Sequence, residues 1–174
     1  MLNQATNRQF SQLFGLFPFH QQRIQVSFVC SPSVSFTFTI MVEQFVGTWT
    51  LVNSDKFDDY MKAVGVNFAT RQMGILAKPN VVIDVGDDGF ITLKSVTTFK
   101  TTEFKFKLNE ECDEDTPDGR ATKTTMTIED GKLVQKQAWD GKTTRIEREI
   151  QDGKLIAKCY MDDVVAVRTY EKAA

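Results

Sequence analysis

From Val42 onward, apolar and polar residues alternate in short runs separated by turn-forming steps. VVIDVG, FITLKSV, TEFKFKL, ATKTTMTI, LVQKQAW, TTRIEREI, LIAKCYM and VVAVRTYE succeed one another along the chain. Asp88-Gly89, Asp130-Gly131, Asp140-Gly141 and Asp152-Gly153 lie between such runs, and Asp162-Asp163 makes a further tight turn. Alternation at period two sends successive side chains to opposite faces of a strand, and Asp-Gly supplies the left-handed backbone of a tight hairpin. Short strands spaced about 8 to 12 residues apart predict an up-and-down antiparallel barrel or a sandwich.

One early stretch follows a different period. In FDDYMKAV, Phe57, Tyr60, Met61 and Val64 repeat at i, i+3, i+4, i+7, the apolar stripe of a helix. Asp55 is the expected N-cap, and Asp58 and Asp59 suit the positive end of the helix dipole. Gly65 is expected to end this helix, and Asn67 to cap a second one running through FATRQMGILA until Pro79. The order is one strand, a helix-turn-helix, then nine strands. Two short helices cannot cover a large antiparallel sheet, so the expected fold is all-β: a ten-stranded antiparallel up-and-down β-barrel with a helical lid after the first strand.

The strand TTRIEREI carries one residue against the pattern. Thr144, Ile146, Arg148 and Ile150 share a face, while Arg145, Glu147 and Glu149 share the other. The fully charged face suits water, which leaves Arg148 among the isoleucines, where a guanidinium is costly without a partner. In VVAVRTYE, Arg168 has the parity of Val164, Ala166 and Tyr170, but both faces are partly apolar and the pattern does not say which is inside. If that set faces in, two cations and a phenol converge on a receptor for a carboxylate. The competing reading pairs each arginine with an Asp or Glu from a neighbouring strand.

Composition divides the chain. Residues 1–40 contain no Asp, Glu or Lys and hold seven of the 14 phenylalanines, and every acidic residue lies from Glu43 onward. The later part has 19 basic residues against 23 acidic ones, a net charge of −4. This marks residues 1–41 as an N-terminal extension, disordered or processed, and 42–174 as the domain. The extension reads in three ways: a targeting segment, a small hairpin from RIQVSFVC and SVSFTFTI, or an upstream addition with Met41 as the natural first residue. No whole-chain positive field for nucleic acid exists at a net charge of −2. No run approaches the roughly 18 apolar residues of a membrane span. Cys30, Cys112 and Cys159 are too scattered for a disulfide scaffold or zinc site, so reduced intracellular thiols are expected. The one histidine, His20, precedes Met41. Without another, the domain lacks Ser-His and Cys-His nucleophile pairs and the commonest metal ligand. No enzyme, metal or cofactor is expected.

At this point GTWTLVNSDKFDDYMKAVGVNFATRQ, followed in order by KPNVVI, TTFKTTEFKFKL, DEDTPDGR and VRTYEK, resembles the intracellular fatty-acid-binding proteins, in the group that includes cellular retinoid-binding proteins. The likeness spans Val42 to Ala174. Gly47-Thr48-Trp49 alone would also fit the secreted members of the lipocalin superfamily. The resemblance implies a ten-stranded barrel around a cavity capped by two helices, and a noncatalytic, cytoplasmic (or also nuclear), monomeric carrier of long-chain fatty acids. It implies that Arg148, Arg168 and Tyr170 hold the ligand carboxylate. Phe57 and Phe99 match cavity and portal residues, Asp118 and Arg120 match polar groups near internal water, and Tyr60 and Met61 fall on the lid stripe. Retinoic acid, or another hydrophobic carboxylate handed to a nuclear receptor or enzyme, is the alternative ligand, with a lipid-modifying enzyme the remoter one. Lys62, Arg71 and Lys78, on or near the lid, are candidates for transient contact with anionic membrane or for plain solvated charges.

Overall fold

The structure is a computed structural model that describes residues 42–173. The three readings of the N-terminal extension lie outside the described residues. Among the described residues, ten strands and two helices follow a short helical turn at residues 42–43. β1 (Gly47–Asp55) leads into α1 (Phe57–Val64) and α2 (Phe68–Leu76). Then follow β2 (Asn80–Val85), β3 (Ile91–Val96), β4 (Thr101–Phe106), β5 (Glu111–Asp115), β6 (Ala121–Glu129), β7 (Lys132–Trp139), β8 (Lys142–Gln151), β9 (Lys154–Met161) and β10 (Val164–Lys172). All ladders are antiparallel, and the sheet order is β4-β3-β2-β1-β10-β9-β8-β7-β6-β5. Every pair of neighbours in the sheet is consecutive in sequence except β1 and β10, whose pairing curls the sheet into a nearly closed barrel. Among the described residues β4 and β5 share no ladder, so the wall has a seam there.

The Asp-Gly steps act in two ways. At Asp130-Gly131, Asp140-Gly141 and Asp152-Gly153 both residues have positive φ, 44° to 50° for Asp and 72° to 76° for Gly. These are two-residue turns whose twist matches the strands they join. Asp88-Gly89 differs because its loop is one residue longer. Only Gly89 is left-handed, and its N–H donates to the Gly86 carbonyl at 3.0 Å while the Gly86 N–H donates to the Phe90 carbonyl at 2.8 Å. Asp118-Gly119 repeats that arrangement between Thr116 and Arg120.

The helices follow their stripe, with one correction at the start. Asp55 closes β1, and the N-cap is Lys56, in the left-handed region at φ 53° with no side-chain cap bond. The chain turns too sharply from strand into helix for Asp55 to serve the first turn. Asn67 does cap α2, accepting from the Thr70 N–H at 3.0 Å. Gly65, at φ 100°, ends α1, and the Val66 N–H closes the motif on the Met61 carbonyl at 2.9 Å. Tyr60, Met61 and Val64 bury the stripe of α1, whereas no residue of α2 is fully buried.

Apolar side chains fill one end of the barrel. Phe45, Trp49, Phe106, Met126, Leu133 and Leu155 are almost completely buried there. The Trp49 indole N–H donates to the Phe45 carbonyl at 2.8 Å. The other end, under the lid, holds a smaller cluster of Tyr60, Met61, Val64, Cys159, Met161 and Ala166. Outside, the charged face of β8 does what its parity implies. Arg145 pairs with Glu147 at 2.7 Å and Glu129 at 2.9 Å, and Lys158 with Glu149 at 2.9 Å.

Candidate functional site

Between the two apolar ends lies a cavity of about 320 Å³. Its wall is largely apolar, with Met61, Val81, Leu93, Ile146 and Leu155 contributing, and its mouth opens between α2 and the turns that carry Phe99 and Asp118. Phe57, Tyr60, Met61, Phe99, Asp118 and Arg120 all line it, as do Arg148, Arg168 and Tyr170. The face of β10 left open by the pattern is settled by burial. Ala166 and Tyr170 are buried and Val165 is exposed, so Arg168 faces in with them.

The ladders set the arginines side by side. Arg148 on β8 and Arg168 on β10 both pair with Ala157 on β9, one from each side. Arg148 donates from Nη2 to Gln135 Oε1 at 2.8 Å, while its buried Nη1 meets no acceptor on the described protein. Arg168 lies with its guanidinium 4.0 Å from the centre of the Phe57 ring and 5.7 Å from that of Tyr170, and its buried Nε also lacks an acceptor. Stacking on rings leaves the guanidinium edge, where its N–H groups point, free to donate. Burial pulls Arg148 below the ordinary arginine value, the response of a cation taken out of water with too little counter-charge. Burial pushes Tyr170 and Tyr60 upward, so both remain phenols at neutral pH.

Arg120 differs in having a carboxylate partner, although its buried Nη1 too meets no acceptor among the described residues. Its Nε and Nη2 donate to the Asp118 carboxylate at 2.6 and 3.1 Å, and its guanidinium lies 4.3 Å from the Trp139 ring. Burial alone would raise the Asp118 carboxyl, but the hydrogen bond and charge of Arg120 outweigh it and hold the group below its usual value. Tyr60 ties the lid to the barrel, its hydroxyl 3.0 Å from that of Thr144 on β8. Gly74 on α2 gives Met61 of α1 close approach: a Cβ there would stand 3.0 Å from the Met61 sulfur.

Three polar residues on this wall escaped the sequence reading. Glu114, Gln135 and Gln137 are buried and hydrogen-bonded together, with Gln135 and Gln137 donating to the Glu114 carboxylate. The glutamines left a trace, since they share parity with Leu133 and Trp139 and oppose Lys136. Glu114 left none, because β5 reads Glu-Cys-Asp-Glu-Asp and gives no apolar face to count from.

Residues 46–173 match the profile of the Lipocalin / cytosolic fatty-acid binding protein family. The chain belongs to that family. It is 51% identical over 133 residues to the adipocyte fatty acid-binding protein of Pygoscelis papua, covering 76% of this chain and all of that one. Among solved structures, fatty-acid-binding protein 1 of Echinococcus granulosus superposes with a TM-score of 0.74 at 43% identity, covering 76% of this chain and 99% of the other. The Schistosoma mansoni fatty acid binding protein in complex with arachidonic acid gives 0.73 at 34% identity, covering 77% and 99%. Within this family frame, the nine residues singled out from sequence all line one cavity, and Arg148 and Arg168 each bring to it a buried N–H that meets no acceptor among the described residues.

Proposed function

We propose that this protein is a noncatalytic carrier of long-chain fatty acids, with the carboxylate held by Arg148, Arg168 and Tyr170. One observation carries the reading: two inward guanidiniums, set abreast across Ala157, keep buried N–H donors for which the described protein offers no acceptor. A carboxylate supplies two oxygens and the missing charge, and the Tyr170 hydroxyl adds a neutral donor. The tail supplies most of the affinity. At about 0.8 kcal/mol per methylene, sixteen carbons contribute on the order of 12 kcal/mol before ordering costs. The head-group contact nets less, because desolvating both charges offsets their attraction, and its work is to choose acids over alcohols and esters.

Exposed Phe68, Met73 and Leu76 on α2, with Phe99 at the mouth, support the further reading that ligand exchanges at a membrane surface through the lid. The cytosolic designation in the family's description supports a cytoplasmic carrier.

Displacement titrations with palmitate and hexadecanol on the native protein and on Arg168→Gln test the head-group role. The variant is expected to lose roughly 10- to 100-fold for the acid, the scale of a hydrogen bond to a charged group, and much less for the alcohol. Equal losses for both ligands rule the role out.

A further inference from the structure

Glu114 is a charge on the cavity wall that the head-group reading leaves without a task. It is only 7% exposed. Its oxygens meet donors alone: the Thr124 hydroxyl at 2.7 Å, Gln137 Nε2 at 2.9 Å, and Gln135 Nε2 at 3.0 and 2.8 Å. A carboxylate, which only accepts, satisfies all of these contacts as they stand. All three donors are neutral, and none cancels the charge. The link to a cation runs through Gln135, which gives its N–H to Glu114 and takes an N–H from Arg148 Nη2 at 2.8 Å.

The fixed charges facing the cavity then sum simply. Asp118 and Arg120 cancel in their two-bonded pair. Lys100 is exposed at the mouth with its ammonium 3.3 Å from the Pro117 carbonyl, where water screens it. Tyr60, Tyr170 and Cys159 are kept neutral by burial. Arg148 and Arg168 against Glu114 leave one positive charge.

We propose that Glu114 sets the valence of the cavity, so that it accepts a head group bearing one negative charge and rejects a dianion on the same tail, such as an alkyl phosphate. The inference rests on the carboxylate reading above and sharpens it. A monoanion brings the enclosed charge to zero. A dianion is drawn more strongly to the two arginines, but its desolvation cost rises with the square of its charge and it leaves an excess charge in a poorly screened space. It is also repelled by Glu114, a single charge that at effective dielectric constants near 20 shifts affinity by about tenfold or more. Such a site separates free acids from phosphate-bearing lipids whose tails fit equally well.

The test uses hexadecyl sulfonate and hexadecyl phosphate on the full chain at pH 5 and pH 8. The sulfonate remains a monoanion at both, whereas the phosphate loses its second proton near a pH of about 6. Taking the ratio of the two affinities removes any titration of the protein that acts on both ligands alike. In the native protein the phosphate-to-sulfonate affinity ratio is expected to fall about tenfold from pH 5 to pH 8. In Glu114→Gln it should stay level or rise. In the double variant Glu114→Gln, Arg148→Gln, which restores the single positive charge, it should fall again. A native ratio that does not change with pH overturns the proposal, whether or not the variants fold, and so does a Glu114→Gln ratio that falls as the native one does. Failure of the carboxylate reading shows elsewhere, as equal palmitate and hexadecanol losses in Arg168→Gln.

Discussion

Arg148 and Arg168 stand in one cross-strand row, each the partner of Ala157 in its own ladder. Two strand spacings place their Cα atoms about 10 Å apart, and all three side chains share the inner face. The small side chain of Ala157 leaves the space in which the guanidiniums can close on one carboxylate. Ala157→Leu puts an isobutyl group there. Palmitate affinity is expected to drop at least about tenfold and hexadecanol affinity to drop less, with a stability change of about 1 to 3 kcal/mol from overpacking. Parallel displacement titrations and denaturant unfolding check this. Unchanged acid binding would show that the guanidiniums close on the head group elsewhere.

Tyr60 is the polar latch of the lid. Its phenol meets the Thr144 hydroxyl at 3.0 Å, and that hydroxyl donates to the Tyr160 carbonyl at 2.6 Å. Tyr60→Phe removes one partner while keeping the ring, a loss of about 1 kcal/mol. Because α1 opens locally rather than with the whole barrel, the effect should appear in exchange rates first. Stopped-flow measurement of fatty-acid release is expected to show a several-fold faster rate, with equilibrium affinity changed much less. A release rate equal to that of the native protein would remove the latch.

What the chain announces and what it hides follow one physical rule. Period-two alternation was legible wherever one strand face is apolar and the other charged, so β8 gave Arg148 its inward direction outright. In β10 both faces are partly apolar, and only the fold decides that Arg168 joins Ala166 inside. β5 has no apolar alternation, so Glu114 was invisible although the strand alternates in burial like the rest. The Asp55 cap failed for a related reason. Cap chemistry is local, but where β1 stops depends on its ladder with β10, which runs to the Asp55–Val167 pair after a bulge between Leu51 and Asn53.

The lid cations are not equivalent. Arg71 donates to Asp58 at 2.8 Å and to the Val66 carbonyl at 3.2 Å, pinning the two helices, whereas Lys62 and Lys78 are exposed. Leu76, at 78% exposure, and Phe68 provide apolar surface beside them. If transfer proceeds by membrane contact, Leu76→Ser should slow fatty-acid transfer to vesicles several-fold. Lys62→Ala and Lys78→Ala together should weaken its dependence on anionic lipid, each charge near such a surface being worth about 1 kcal/mol. Arg71→Ala should instead loosen the lid and speed release. Transfer indifferent to Leu76 and to lipid charge would leave these residues as ordinary surface.

Cys159 sets an alkaline limit on the fold. It is buried beside the arginines, and burial pushes its thiol from 9.0 to about 11, against the pull of Arg148 and Arg168. Tyr170 and Tyr60 are raised by burial as well. A group whose folded value lies above its unfolded value favours the folded chain at low pH. That contribution is complete below pH 9 and is lost as pH rises from 9 toward 11, because the unfolded chain releases the proton first. Two pH units of separation amount to on the order of 2–3 kcal/mol over the window. Unfolding free energy of the native protein should therefore decline between pH 9 and 11, and Cys159→Ala, though less stable at pH 7 by the lost packing, should show a shallower decline. Alkylation of Cys159 should follow the same titration, slow at pH 8 in the folded protein and fast once it is unfolded. A thiol that reacts at pH 8 as quickly folded as unfolded contradicts the burial that raises it.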